Sequence, residues 1–110
     1  MTVDEALNHN LVTVIQRNHQ AGFYRITLGT LATEVFIRLK PKGGSGQTAF
    51  ERSHDIKTPL QIGPYRTSIS LYDTPGDAMR RAITGLTDHY EHAVKAGHSP
   101  EESWLCVRGG

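Results

Sequence analysis

Cysteine is almost absent from the chain, whose 110 residues include only Cys106. A single cysteine excludes an internal disulfide and a zinc site built on cysteine pairs. No stretch approaches the about 18 consecutive apolar residues that span a membrane. The first five residues also lack the basic start and the apolar run of a signal peptide. These absences predict a cytoplasmic protein with no membrane partner.

The usual sequence signatures of catalysis are missing as well. No serine stands in a Gly-x-Ser-x-Gly elbow. Residues 43–48, Gly-Gly-Ser-Gly-Gln-Thr, have the glycines of a phosphate-binding loop, but they lack its Gly-Lys-Ser/Thr and precede a predicted strand. Cys106 has no sequence neighbour that would activate it as a nucleophile. We therefore expect a non-enzymatic protein without a cofactor; a small metal-dependent or other enzyme, assembled from residues that converge only in space, is an alternative.

The composition is that of one globular domain. With 37% hydrophobic and 21% charged residues, the chain is too short for two ordinary domains. A chain of this size buries roughly two-thirds of the surface that it exposes when unfolded, so it needs neither a disulfide nor a structural metal. We predict a single domain over residues 1–110, with a flexible proline- and glycine-rich loop at residues 41–47 and a short tail at residues 106–110.

Charge is unevenly distributed along the chain, although the net charge is only +1. Residues 17–72 contain eight basic and three acidic side chains, which gives a net charge of +5. Residues 1–16 and residues 73–110 each carry a net charge of −2. The middle of the chain is therefore basic, and both of its ends are acidic.

Alternation of apolar and polar residues predicts four or five short strands. Residues 23–28, 33–40 and 65–72 alternate clearly, and residues 47–54 are a plausible further strand. Residues 11–17 are rich in β-branched side chains and favour a strand. Apolar residues between positions 3 and 18 also fit helical spacing, so a helix over residues 3–18 is the alternative.

The strongest pattern predicts a long amphipathic helix over about residues 75–96. Thr74, Pro75 and Asp77 form a capped start, and Gly97 is a typical stop. Between them, apolar residues recur at spacings of three and four: Met79, Ala82, Ile83, Leu86, Tyr90, Ala93 and Val94. The apolar stripe requires a sheet face to cover it. We therefore predict an α+β fold in which an antiparallel meander of four to five strands packs on one long C-terminal helix.

Two segments resemble a known group of sequences. They are Lys-Thr-Pro-Leu-Gln-Ile-Gly-Pro-Tyr-Arg-Thr-Ser at residues 57–68 and Ala-Val-Lys-Ala-Gly-His-Ser-Pro-Glu-Glu-Ser-Trp-Leu at residues 93–105. Together they are similar to short hypothetical bacterial proteins that often accompany mobile elements and have no assigned activity. The resemblance covers about residues 50–105 and transfers no functional residue. With the small size of the chain, it implies an inhibitor of host defence, similar to anti-CRISPR proteins, as one specific function.

The predicted strands place basic and aromatic side chains on the sheet face opposite the helix. The candidate binding residues are Phe23, Arg25, Phe36, Arg38, Lys40, Lys42, Arg52 and Arg66. Exposed aromatic residues beside arginines are typical of protein contact surfaces, so we expect a protein partner or self-association, including a homodimer. The same residue types suit single-stranded nucleic acid, which is the alternative partner.

Histidine is the remaining candidate for chemistry, since the chain contains six. His89 and His92 lie three positions apart on the predicted helix, and His98 follows its end. These three residues are weak candidates for metal ligands, because helical zinc sites more often use histidines four positions apart. We therefore predict no metal site and interpret them as ordinary polar residues of a surface helix.

Overall fold

The computed structural model describes residues 1–64 and 71–108. In chain order, its elements are α1 (Val3–Leu7), β1 (Val12–Asn18), β2 (Phe23–Leu28), β3 (Val35–Lys42), β4 (Gln47–Arg52), β5 (His54–Ile56), α2 (Pro75–Lys95), a 3-10 helix (Glu102–Trp104) and β6 (Leu105–Val107). Strands β1 to β4 form a four-stranded antiparallel sheet in sequence order. The predicted α+β fold, a meander packed with one long helix, is confirmed.

One face of the sheet is buried, as the alternation predicts. Every second side chain of β2 and β3 belongs to the hydrophobic core: Tyr24, Ile26, Leu28, Val35, Ile37 and Leu39. The intervening side chains are half-buried or exposed. Burial of each large apolar side chain contributes about 1.5–3 kcal/mol, and a slip of one position would turn all six toward solvent. The core therefore fixes which side chains the outer face of the sheet presents.

Helix α2 begins and ends where its capping residues predict. The hydroxyl of Thr74 accepts a hydrogen bond of 3.1 Å from the amide of Asp77, and Pro75 is the first helical residue. Gly97 takes a φ of +97° just beyond the helix, a conformation that favours glycine. Most of the predicted apolar stripe is buried against α1, β3, β4 and β5. Val94 is the exception, since it is 42% exposed.

Each interpretation of the first 18 residues is correct for a part of them. Residues 12–18 form a strand, as favoured, while the helical alternative holds only for Val3–Leu7. Thr2 and Glu5 form a reciprocal capping box, in which each side chain accepts a hydrogen bond from the other residue's amide. Helix α1 packs on α2. Residues 8–11 connect it to β1, the first strand of the sheet.

The predicted strand over residues 47–54 is divided into two at Ser53. Strand β4 continues the meander, whereas β5 leaves it and pairs with β6 in a separate two-stranded sheet. The hydroxyl of Ser53 accepts a hydrogen bond of 2.8 Å from the amide of Phe36, which replaces a bond of the regular ladder. Cys106 lies in β6 opposite Asp55, so the predicted tail begins as a paired strand.

The predicted loop at residues 41–47 is shorter than expected. Pro41 and Lys42 belong to β3 and Gln47 begins β4, so only residues 43–46 connect the two strands. Residues 65–70 of the strand predicted over residues 65–72 lie outside the described residues. At its end, Tyr72 forms an antiparallel bridge with Thr48 through two backbone hydrogen bonds of 2.8 and 2.9 Å. Within residues 1–64 and 71–108, none of the helices combines the length and the apolar character needed to cross a bilayer.

Candidate binding surface

The outer face of the sheet brings aromatic and basic side chains from neighbouring strands together. The antiparallel register places Phe23 of β2 opposite Arg38 of β3, and Arg25 opposite Phe36. Arg38 in turn lies opposite Glu51 of β4. These positions alternate with the buried ones, so their side chains project away from α2. The predicted placement of Phe23, Arg25, Phe36 and Arg38 on one face is therefore correct.

Phe23, Phe36 and Arg38 form a contiguous cluster, which we call the Phe–Arg patch. The two rings lie 5.9 Å apart between centroids at a tilt of 48°. The guanidinium carbon of Arg38 lies 5.8 Å from the centroid of Phe23, within the range of a cation–π contact. Phe36 is 42% exposed. The patch borders a shallow depression of about 260 Å³, to which Glu51 and Ser53 also contribute.

Two of the four cations that the described strands place on this face are paired with carboxylates. Arg25 contacts Glu34 at 2.9 Å, and Lys40 contacts Glu51 at 2.5 Å. The hydrogen bond from Lys40 is the main reason why the pKa of Glu51 lies below its usual value. Such exposed pairs contribute little to stability, about 0–1 kcal/mol, but they reduce the positive potential of the surface.

Arg38 and Lys42 are the cations left over on this face. Among the described residues, neither has a carboxylate within ion-pair distance. Both Arg38 and Lys42 lie near Glu51, and the charge of each helps to lower the pKa of its carboxyl. The outer face therefore keeps two available cations beside exposed aromatic surface.

The prediction that Arg52 belongs to this surface is wrong. Its position in β4 lies opposite Ile37, on the core side of the sheet, and it is only 2% exposed. Its guanidinium donates hydrogen bonds of 2.8 Å to the carbonyls of His54 and Ala82, and it contacts Asp55 at 3.3 Å. Arg52 joins β4, β5 and α2 inside the molecule and is not available to a partner. Arg66 lies outside the described residues.

The candidate histidines do not converge on a metal-binding arrangement. His89 and His92 lie on α2 against the loop that carries Thr58 and Gln61. Burial is the largest cause of a lowered pKa at His89, followed by the opposing effect of Asp88. Across residues 1–64 and 71–108, no group of three or more histidine, cysteine or acidic side chains is arranged to hold a metal ion. His98 does not complete such a group with the other two.

Ser53 and His54 form the contact that most resembles a catalytic serine–histidine pair. The Ser53 hydroxyl lies 2.7 Å from Nδ1 of His54. Burial lowers the pKa of His54, which favours the neutral imidazole and lets Nδ1 accept the hydroxyl proton. The hydroxyl oxygen also accepts the amide of Phe36. Among the described residues, no ion pair joins the other ring nitrogen to a carboxylate, and the contact lies at the end of β4.

A second polar arrangement, which the sequence did not predict, joins α1 to the sheet. Nε2 of His19 lies 3.1 Å from Oδ1 of Asp4, and Nδ1 of His19 lies 2.9 Å from the hydroxyl of Tyr24. Arg17 also contacts Asp4. Burial raises the pKa of Tyr24, so its hydroxyl keeps its proton at neutral pH. We refer to Asp4, His19 and Tyr24 as the Asp–His–Tyr relay.

The relay lies beside a cavity of about 210 Å³. The cavity is lined by His19 and Tyr24 together with Val3, Gln20, Ala21, Gly22, Leu39, Pro41, Thr48 and Pro75. These residues come from α1, α2, β2, β3, β4 and the turn after β1. Because they are distant in sequence and share no spacing, no sequence signal could have revealed the cavity.

Comparison of the chain with protein-family models, with curated protein sequences and with solved structures finds no match.

Proposed function

We propose that the chain is a non-enzymatic binding protein that acts in the cytoplasm through the outer face of its sheet. The Phe–Arg patch carries this proposal, because it combines an exposed aromatic ring with a guanidinium that has no ion pair among the described residues. Aromatic residues and arginine are the residue types that dominate the energetics of protein interfaces.

The charges of the face favour a protein partner with an acidic contact surface. A carboxylate of the partner would meet Arg38 or Lys42, the two cations of this face that have no ion pair among the described residues. An apolar partner side chain would fill the depression beside Phe23 and Phe36. Arg38 is already held over a ring, so less side-chain entropy is lost when it binds.

Single-stranded nucleic acid is the alternative partner, and the same geometry favours it less. Arg25 and Lys40 are held by Glu34 and Glu51, and Arg52 is buried. A strand of phosphates would meet two carboxylates on the same face, which lowers the electrostatic attraction that most nucleic-acid binding requires.

Capture from a bacterial lysate, compared among matched variants, tests the proposal. The patch variant combines Phe36→Ser and Arg38→Ser, both at exposed positions. The control combines Arg80→Ser and Lys95→Ser on the exposed side of α2. We expect the wild type and the control to retain the same protein, and the patch variant to lose it. Equal retention by the patch variant would exclude the patch as the binding surface.

Two further measurements separate the alternatives. Size-exclusion chromatography with light scattering reports self-association, which the patch variant would abolish if the partner were a second copy. Retention on immobilised single-stranded DNA that falls steeply with salt, and is lost on substitution of Arg25 and Arg38, would support the nucleic-acid alternative instead.

We propose further that the partner belongs to a bacterial defence system, so that the chain acts as an inhibitor similar to anti-CRISPR proteins. The small size of the chain and its resemblance to proteins that accompany mobile elements support this proposal. In cells with an active CRISPR system, expression of the wild type should raise the plaquing efficiency of a targeted phage. Expression of the patch variant should leave it unchanged, and an equal rise with both proteins would contradict the role of the patch.

A further inference from the structure

In the Asp–His–Tyr relay, the charge state of His19 decides the direction of the hydrogen bonds. In the neutral form of His19, Asp4 accepts from Nε2 at 3.1 Å and so holds the ring proton on that nitrogen. Nδ1 is then the acceptor, and the hydroxyl of Tyr24 donates to it across 2.9 Å. The phenol oxygen therefore directs its proton toward His19 and keeps its lone pairs for another donor.

No donor among the described residues bonds to these lone pairs. Tyr24 is only 2% exposed. Its oxygen can accept a further hydrogen bond from a ligand that brings an O–H or N–H group.

The walls of the cavity are mainly apolar. Val3, Ala21, Leu39, Pro41 and Pro75 surround the relay residues His19 and Tyr24. An apolar cavity of about 150 Å³ is large enough to bind benzene. The 210 Å³ available here matches one aromatic ring with a small substituent.

We propose that this cavity binds a small neutral molecule with one apolar ring and one hydrogen-bond donor, such as a phenol, whose donor meets the oxygen of Tyr24. The site is independent of the Phe–Arg patch, because Tyr24 lies on the helix-facing side of β2 and the patch lies on the opposite side. Since Val3 and Pro75 belong to α1 and α2, the ligand would also join both helices to the sheet.

The proposal is tested by titrating the full chain with phenol and with toluene, which has the same ring without the donor. Binding is followed by amide chemical shifts in two-dimensional NMR. We expect saturable shifts at the amides of Val3, Ala21 and Gly22 with millimolar phenol, and weaker binding of toluene. Failure of both probes to give saturable shifts would overturn the proposal.

Substitutions of tyrosine supply the matched control. Tyr24→Phe removes the acceptor and should weaken phenol binding about fivefold to tenfold, while leaving toluene binding unchanged. Tyr90→Phe removes the hydroxyl of another buried tyrosine, which accepts a hydrogen bond from the amide of Thr30 away from the cavity, and should change neither affinity. Undiminished phenol binding by Tyr24→Phe would contradict the assigned acceptor.

A second variant covers the case in which Tyr24→Phe does not fold. Ala21 lies in the exposed turn between β1 and β2 and lines the cavity, so Ala21→Leu can fill it without disturbing the core. We expect Ala21→Leu to lose the binding of both probes. Retention of both affinities would place the binding elsewhere and overturn the proposal.

Discussion

Asp55 and Arg108, which are 53 positions apart, are joined by two contacts to one carboxylate oxygen. Nη2 of Arg108 lies 2.8 Å from Oδ1 of Asp55, and its Nε donates to the same oxygen at 3.1 Å. Arg52 approaches that oxygen from inside the molecule at 3.3 Å. One buried carboxylate thus links the end of the described chain to β4, β5 and, through Arg52, to α2.

Substitution of Asp55 by asparagine should strongly destabilise the fold. Asp55 and Arg52 are 1% and 2% exposed, so the change would leave a buried guanidinium without its counter-charge. Removing one partner of a buried ion pair costs about 3–5 kcal/mol. Urea unfolding followed by circular dichroism measures the loss. Glu51→Gln, which removes the exposed partner of Lys40, is the control and should cost less than about 1 kcal/mol. A similar small loss in both variants would contradict the importance of the buried carboxylate.

Glu102 should contribute stability that is lost in acid. Its carboxylate accepts the amides of Ala32 and Thr33, and the hydroxyl of Thr33 at 2.7 Å. The hydroxyl of Thr33 is the largest cause that lowers the pKa of Glu102 below 4.5, and the two amides add to it. The contribution is therefore complete above about pH 4.5 and disappears as the pH falls through the folded-state pKa.

Unfolding of Glu102→Gln from pH 7 to pH 3 checks this dependence. We expect the variant to be less stable than the wild type at pH 7, and the difference to shrink toward pH 3. Glu101→Gln is the neighbouring control, because Glu101 makes no capping hydrogen bond to the 3-10 helix. A difference between wild type and Glu102→Gln that stays constant with pH would show that the carboxylate is not held in this way.

Gly29 should not tolerate alanine. Its φ is +50°, and an added Cβ would lie 2.1 Å from the hydroxyl oxygen and 2.6 Å from Cζ of Tyr90. The backbone strain costs about 1–2 kcal/mol, and the overlap adds about 1–3 kcal/mol. Gly44→Ala isolates the strain, since Gly44 has a φ of +83° and open space around it. Thermal unfolding should show a larger loss for Gly29→Ala than for Gly44→Ala; equal losses would mean that Tyr90 moves aside freely.

The cap of α2 gives a smaller and separate effect. Thr74→Ala removes the oxygen that accepts the amide of Asp77 and should cost about 1 kcal/mol. Thr74→Ser keeps that oxygen and should restore most of the stability. Denaturant midpoints of the two variants measure the difference. Equal midpoints would indicate that water satisfies the amide as well as the side chain does.

The outer face could be predicted in part because it depends on local alternation. Phe23, Arg25, Phe36 and Arg38 occupy positions that alternate with core residues, so their placement on one face follows from the strand period. The prediction was wrong at Arg52, because its charge favoured the outer face although its position alternates with the exposed Glu51. The carboxylate of Asp55 provides a buried site for that charge. The sequence shows that a residue is charged, but only the tertiary structure shows whether its partner lies inside.

The sequence by itself determined the features that arise from neighbouring residues. The ends of α2 follow from Thr74, Pro75 and Gly97, and the buried faces of β2 and β3 follow from their alternation, because capping and side-chain period act within a few positions. Only the tertiary structure decided that His19 joins Asp4 to Tyr24 beside a cavity, and that Arg108 reaches Asp55. Those contacts depend on how elements far apart in the chain pack together, and no local preference specifies that packing.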